Sequence, residues 1–275
     1  MSFSVVTNLS SLSAQNSLSK TNMGLQQTLA RLTSGLRINS SADDAAGLAI
    51  ANRDMLDNTG LTVGIQAAND AISQLQIKDG GSSNVASLLN RALTLATQSA
   101  SSTFTGNRNT LDNEFQSVLS EITRNASAAG LQTGSADLTS RSVFVGNTQT
   151  NTSVSVSYVS FTLTTAIDAQ GLGVSTQNVT SQANAASAIS AIQSAIDTLG
   201  TVQGAIGSAM NRLQFAITES QTMSVSIQAA KSRIMDADIA AEATNLTKYN
   251  ILTQSGMAAL AQANQAPAAI LHLLQ

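Results

Sequence analysis

From Ala185 to Ile227 apolar residues return every three or four positions: Ala185, Ile189, Ile192, Ile196, Leu199, Ile206, Met210, Leu213, Ile217 and Ile227. No proline interrupts roughly fifty residues, so the spacing predicts one long helix with a single apolar stripe. Polar Gln203, Ser220 and Ser224 lie in that stripe, where they fix register at some cost in stability. A helix of this length needs partners of similar length, and that requirement governs the rest of the chain.

Those partners are legible. Leu61, Ile65, Ala68, Ile72, Leu75, then Ala86, Leu89, Leu93 and Ala96 repeat the same spacing. The pattern pauses at Asp79-Gly80-Gly81-Ser82, and interior glycines each cost about 1 kcal/mol against alanine, so a weak point or kink is expected there. A break at Thr105-Gly106-Asn107 precedes Leu111, Phe115, Val118, Ile122 and Ala129, a segment expected to return antiparallel and stop at Gly130. Near the start, Leu18, Leu25 and Leu32 stand seven apart, as do Leu29 and Leu36, in a coiled-coil-like stripe on residues 1–36.

Composition agrees with thin helical seams. Of 275 residues 43% are hydrophobic, much of that alanine, while aromatics are 3% and charged residues 11%. A typical soluble domain carries roughly 25% charged residues, so much of this surface is expected to meet protein rather than water. The net charge of −3 gives no electrostatic case for nucleic acid or an anionic membrane. With no cysteine there is neither disulfide nor thiolate chemistry. No apolar run approaches the roughly 20 residues of a bilayer span, and no signal peptide pattern precedes Lys20. Alone, those features read as cytoplasmic.

The character changes between about 135 and 180. Val143-Phe144-Val145, then Val154, Val156 and Tyr158 alternating with serines, predict two strands joined by a turn from Gly146-Asn147 to Asn151. Phe161 and Leu163 continue an extended run, and Gly171-Leu172-Gly173 reads as a loop. A hairpin so poor in charge requires cover on one face.

The stretch 31–51, RLTSGLRINSSADDAAGLAIA, reads as a hinge between two helices. Gly35 loosens the backbone; Ser40 and Ser41 are candidate N-caps, with Asp43 and Asp44 each three residues later in the capping-box relationship. The last part contains SRIMDADIAAEATNLTK, residues 232–248, then LAQANQAPAAILHLL, residues 260–274. After Lys248 no acidic or basic residue follows except His272. Pro267 is expected to kink the final helix or confine it to a short last segment. Both ends are thus apolar-striped and nearly charge-free, and suited to pair with each other. The fold class is mainly α: long antiparallel coiled-coil-like helices from both chain ends, with a small β-hairpin in the middle.

Residues for chemistry are few. His272 is the only histidine and lies in the apolar tail, so no triad or His-based metal site is supported. Asp43 and Asp44 are explained by capping. Asp236, Asp238 and Glu242 lack the glycine-centred spacing of an EF-hand loop. No cofactor is expected.

The phrase at residues 31–51 and the two C-terminal phrases closely resemble the terminal signatures of bacterial flagellins, the subunits of the flagellar filament. The resemblance covers nearly everything except residues 135–180. It implies a short flagellin without large outer domains and without enzyme activity; the family's protease-bearing members carry an HExxH insert that is missing here. In that family the terminal helices line the filament core and the long helices form a surrounding tube. The implied domains are 1–40 with 235–275, and 41–234 with the β region at about 135–180. Leu18, Leu25, Leu29, Leu32, Leu36, Leu260, Ile270, Leu271 and Leu274 are then the polymerisation residues. Both ends are expected to order on assembly.

The resemblance further implies an extracellular filament reached through the flagellum's own secretion channel. Its partners are then other copies of the chain, the flagellar export apparatus, an export chaperone, the filament cap and the hook-junction proteins. A hook-filament junction protein, or a related secreted helical protein, is the alternative reading. The family's contact motif for a vertebrate Toll-like receptor is matched by Arg91 and Leu95, with Glu114 at the acidic position. The competing reading packs Leu95 between helices and gives Arg91 and Glu114 to subunit contacts.

Overall fold

The computed structural model describes residues 8–136, 138–150 and 153–273, with 148–150, 153–155 and 266–273 described by backbone alone. In chain order the elements are α1 (Leu9–Ser34), α2 (Ala45–Ala100), α3 (Arg108–Ala128), β1 (Ser140–Thr150), β2 (Ser153–Thr162), α4 (Gln182–Met235) and α5 (Ile239–Leu273). The chain divides into two compact units, Met1–Leu56 with Ser226–Gln275, and Asp57–Val225. The mainly helical fold with a central hairpin matches the sequence reading.

Helix ends follow local chemistry. Asn8 caps α1 by accepting from the Ser11 N–H, and Gly35 closes it in the left-handed conformation (φ 71°) with its N–H on the Arg31 carbonyl. Ser181 caps α4 through the Asn184 N–H, and Asp238 caps α5 through the N–H groups of Ala240 and Ala241. At the end of α3, Leu131 N–H donates to the Ala126 carbonyl and Gly130 N–H to that of Ser127, a Schellman closure with Gly130 at φ 69°. Gly130 is therefore the expected stop.

The unit Asp57–Val225 holds the larger core. Leu75, Leu89 and Leu95 of α2, Phe115 and Ile122 of α3, and Ile192, Leu199, Ile206 and Leu213 of α4 are all at most 2% exposed. All but Leu95 are predicted stripe positions, and together they form one core. At Gly80-Gly81, where a weak point or kink is expected, α2 runs on as one helix. A Cβ on Gly81 would lie 2.5 Å from the Ala129 Cβ, so the residue is small because the end of α3 presses against α2 there. Beside it, buried Lys78 donates its Nζ to the Ala129 carbonyl at 3.2 Å, a cation at a helix C-terminus.

The hairpin is longer than predicted. Pairing runs antiparallel from Ser140↔Thr162 to Thr150↔Ser153, with a bulge at Val145 between Phe144↔Tyr158 and Gly146↔Ser157. Gly146 and Asn147 are thus strand residues rather than the turn. The glycine sits beside the bulge, and pairing continues past it to Thr150↔Ser153. Val145 and Leu163 are buried and Val143, Val159 and Phe161 pack on the same core, so helices do cover one face. The approach is close: a Cβ on Gly64 would fall 2.3 Å from the Val145 carbonyl carbon, and Ser220 Oγ donates to the Val145 carbonyl at 3.0 Å. Polar Ser220 in the α4 stripe therefore holds the bulge.

Residues 163–181 contain no helix or strand yet are firmly tied. Ile167 N–H donates to the Leu131 carbonyl, Val179 N–H to Asp112 Oδ1, and buried Ser99 Oγ to the Val179 carbonyl. Asp168 accepts from Thr133 Oγ1 and from the Gly171 N–H.

The paired termini as a candidate assembly site

In the unit formed by the chain ends, α1 and α5 pack antiparallel. Ser11 Oγ donates to Asn264 Oδ1 at 2.7 Å near one end, and Arg31 reaches Glu242 near the other. Between them small residues set the spacing: a Cβ on Gly256 would stand 3.2 Å from Leu18 Cδ1, and one on Gly24 would meet the Tyr249 ring at 2.7 Å.

Of the two expected effects of Pro267, confinement to a short last segment is corrected: α5 continues through the proline to Leu273. Proline has no N–H, so the carbonyl four residues earlier, that of Ala263, loses its helical donor. Asn8 Nδ2 donates to that carbonyl at 2.7 Å. The partner helix thus supplies what the proline removes.

A two-helix pair buries only one stripe of each helix. Leu18, Leu25, Leu32 and Leu36 are half-buried, and so is Leu260. Leu9 (77%), Leu12 (63%), Met23 (60%), Leu29 (42%), Ile251 (59%) and Met257 (53%) stay exposed. Of the other predicted polymerisation residues, Ile270 and Leu271 lie on α5 where only the backbone is described, as does His272. Leu274 lies outside the described residues.

The hinge is more tightly built than its sequence reads. Ser40 and Ser41 do not cap α2, which corrects that expectation. Asp44 does: its Oδ1 accepts from the Gly47 N–H at 2.9 Å and its carbonyl from Leu48. Asp43 instead folds the turn back on itself, its Oδ2 accepting from the N–H groups of Asn39 and Ser40 and from Ser40 Oγ. Its Oδ1 accepts from Gln27 Nε2 of α1 at 2.8 Å. The Gln27 bond first, then the backbone bonds from Asn39 and Ser40, hold the Asp43 carboxyl below the ordinary carboxylate value. Ser41 accordingly sits in the turn, exposed.

Gly35, Leu36 and Arg37 run beside the α4–α5 junction. Arg37 N–H donates to the Met235 carbonyl, Ala237 N–H to that of Gly35, and Leu36 pairs with Asp236 as an antiparallel bridge. Arg37 Nη2 adds a bond to the Ile234 carbonyl at 2.8 Å. Ile38, Ala51 and Met235 form a small core beneath, with Leu36, Leu48 and Ile234 packed on it.

Arg31 and Glu242 form a cross-helix ion pair that the sequence does not announce. Arg31 lies 3.7 Å from Asp43 and 3.9 Å from Glu242, joining α1, the turn and α5. Glu242 is 8% exposed and also accepts from Asn245. The available signal was scarcity: α1 carries two charged residues, Lys20 and Arg31, and α5 carries Glu242 and Lys248. Asp236 accepts from Ser232 Oγ, and Asp238 is spent on its cap. Among the described residues no group of three or more His, Cys, Asp or Glu is placed to hold a metal ion.

In the other unit Arg91 and Glu114 form an exposed ion pair between α2 and α3, with Arg91 Nε 3.1 Å from Glu114 Oε1. Leu95 does not join them at the surface. It is 1% exposed, so the receptor-contact expectation is corrected for this side chain: it packs in the helical core.

Two family models cover most of the chain: the bacterial flagellin N-terminal helical region matches residues 5–133, and the bacterial flagellin C-terminal helical region matches residues 189–274. The chain belongs to the bacterial flagellin family. It is 32% identical to a flagellin of Listeria monocytogenes, the alignment covering 98% of this chain and 99% of that one. It is 35% identical to a flagellin of Halalkalibacterium halodurans, over 92% and 95% of the two chains. The crystal structure of Bacillus cereus flagellin aligns with a TM-score of 0.47 at 22% identity, over 56% of this chain and 88% of that one; the assignment rests on the sequence matches. The chain is a short flagellin, a structural subunit that polymerises with its own copies into the flagellar filament, and not an enzyme. No described helix is long and apolar enough to cross a membrane.

Proposed function

We propose that the α1–α5 pair is the surface through which copies of this flagellin meet, forming an inner domain from residues 1–40 and 235–275. Residues 41–234 then form a helical rod domain with the β region at about 135–180. The observation that carries this reading is the number of large apolar side chains left exposed on both helices: Leu9, Leu12, Met23 and Leu29 of α1, Ile251 and Met257 of α5. Six large apolar side chains left in water on one helix pair call for cover by further protein. Burial of each such side chain stabilises a contact by about 1.5–3 kcal/mol. Leu18, Leu25, Leu32, Leu36 and Leu260 hold the pair together, while Gly35, Asp43 and Asp44, with Ser40 and Ser41, keep the hinge in shape.

In this reading the chain leaves the cell through the flagellar export apparatus, escorted by an export chaperone that covers the same apolar stripe. It is added beneath the filament cap, above the hook-junction proteins, in an extracellular filament. Free copies meet the vertebrate Toll-like receptor through the exposed Arg91–Glu114 pair. Limited proteolysis tests the central point: protease should trim both ends of the monomer and leave a helical middle that no longer polymerises. Filament should resist. Equal trimming of monomer and filament would remove the terminal pair from the assembly surface.

A further inference from the structure

The chain has no cysteine, so its seven methionines are the side chains most open to two-electron oxidation. The fold sorts them. Met235 is 9% exposed in the hinge core, and Met210 and Met223 are half-buried. Met23 of α1 and Met257 of α5 are 60% and 53% exposed. Each stands next to a glycine at which the two helices touch: Gly24 against the Tyr249 ring, and Gly256 against Leu18. Neighbouring helix residues are about 100° apart, so both thioethers lie at the flanks of the α1–α5 seam, in water on the free chain.

We infer that Met23 and Met257 are oxidation sites through which a peroxide reversibly withdraws free copies from assembly. The inference rests on the reading that the terminal pair is where copies meet. A sulfur lone pair attacks one peroxide oxygen; the O–O bond breaks and an S–O bond forms. The displaced hydroxide takes the proton of the transferred hydroxyl and leaves as water, so sulfur loses two electrons and the peroxide gains them. The product is a polar, chiral sulfoxide where a flexible apolar side chain stood. On the free chain that S=O group stays in water and the fold is undisturbed. Under a second copy it is desolvated without a donor, a cost that the thioether does not incur. Oxidation here therefore acts on joining rather than on folding. Once covered, the same sulfurs are shielded, so only free copies respond. Reduction of the sulfoxides returns the thioethers and restores competence.

Free monomer and grown filaments are each exposed to hydrogen peroxide, and the sulfoxides are mapped by peptide mass spectrometry. In monomer Met23, Met257 and Met55, itself 55% exposed, should oxidise faster than Met235. In filament Met23 and Met257 should oxidise about tenfold more slowly or less. Equal rates in monomer and filament would overturn the terminal reading and this inference with it. Oxidised monomer should keep its Tm yet need about tenfold more protein for seeded growth. Methionine sulfoxide reductases A and B should restore growth. Protection in filament together with normal growth of oxidised monomer would overturn this inference and leave the terminal reading intact, and so would growth that the reductases fail to restore. The chain with both Met23→Leu and Met257→Leu keeps apolar bulk and lacks both sulfurs. It should grow normally after peroxide although Met55 is oxidised; inhibition equal to wild type would overturn the inference.

Discussion

Asn8 donates its side-chain amide to the carbonyl of Ala263, the one that Pro267 deprives of its helical donor. The same residue caps α1 by accepting from the Ser11 N–H, so one asparagine closes the first helix and completes the last. The ends of the chain are matched at the level of single hydrogen bonds as well as in apolar pattern.

Asn8→Ala should weaken the helix pair by about 1–2 kcal/mol, from loss of the cap and an unsatisfied carbonyl. In a Pro267→Ala background residue 267 regains its N–H, and the cost of Asn8→Ala should fall by about 1 kcal/mol. A double-mutant cycle on the thermal dissociation of filaments measures this. Strict additivity would show that the Asn8 amide does not serve this carbonyl.

Asp43 gives the hinge a pH dependence of defined sign. Its folded-state pKa is lowered, chiefly by the Gln27 bond. The group therefore stabilises the fold above the ordinary carboxylate value, and that contribution is lost as pH falls through its folded value. Asp43→Asn should remove this part of the acid sensitivity. NMR titration of the Asp43 carboxyl, with melting of wild type and variant from neutral to acidic pH, reads it out. Identical acid profiles would exclude Asp43 from the hinge's acid response.

Arg31→Ala should destabilise the terminal pair by about 1–3 kcal/mol, because it leaves the buried Glu242 carboxylate short of its cation. Glu242→Gln keeps a polar group for Asn245 and should cost less. Hydrogen exchange across α1 and α5 in filaments would rank the two. The reverse order would show that Arg31 acts through Asp43 alone.

Arg91→Ala should reduce a monomer's signal in Toll-like receptor reporter cells while changing stability by no more than about 1 kcal/mol, the value of an exposed ion pair. Leu95→Ala should instead lower stability by about 2–5 kcal/mol, so any loss of signal there reflects unfolding. Circular dichroism melts beside the reporter assay separate the two. Undiminished signalling by Arg91→Ala would take that residue out of the receptor contact.

The helices were legible because their apolar spacing is local information. Ala185, Ile192, Leu199, Ile206, Leu213 and Ile217 read the same in sequence and in the α4 seam, while Ala188, Ala195, Val202 and Ala209 take buried places beside partly buried Ile189, Ile196 and Met210. What misled were residues whose meaning depends on distant partners. Gly81 looks like a breaker until Ala129 is placed against it, and Pro267 looks like a terminator until Asn8 meets the Ala263 carbonyl. Asp43 and Ser40 have capping-box spacing, but Gln27 and the backbone of Asn39 draw the carboxylate into the turn, and the cap falls to Asp44. Gly146-Asn147 has turn composition, yet the Ser220 bond and the close pass of Gly64 hold it as strand beside a bulge. Leu95 fits a surface motif and a core stripe equally well, and only burial decides between them.

Seeded growth tests most directly whether the exposed side of the terminal pair is where copies join. Leu12 and Ile251 are 63% and 59% exposed, so Leu12→Ser and Ile251→Ser should leave the monomer's helical content and Tm unchanged. Each should raise the critical concentration for elongation about tenfold or more, the equivalent of at least about 1.4 kcal/mol of lost burial per contact. A critical concentration equal to wild type for both variants would contradict the account.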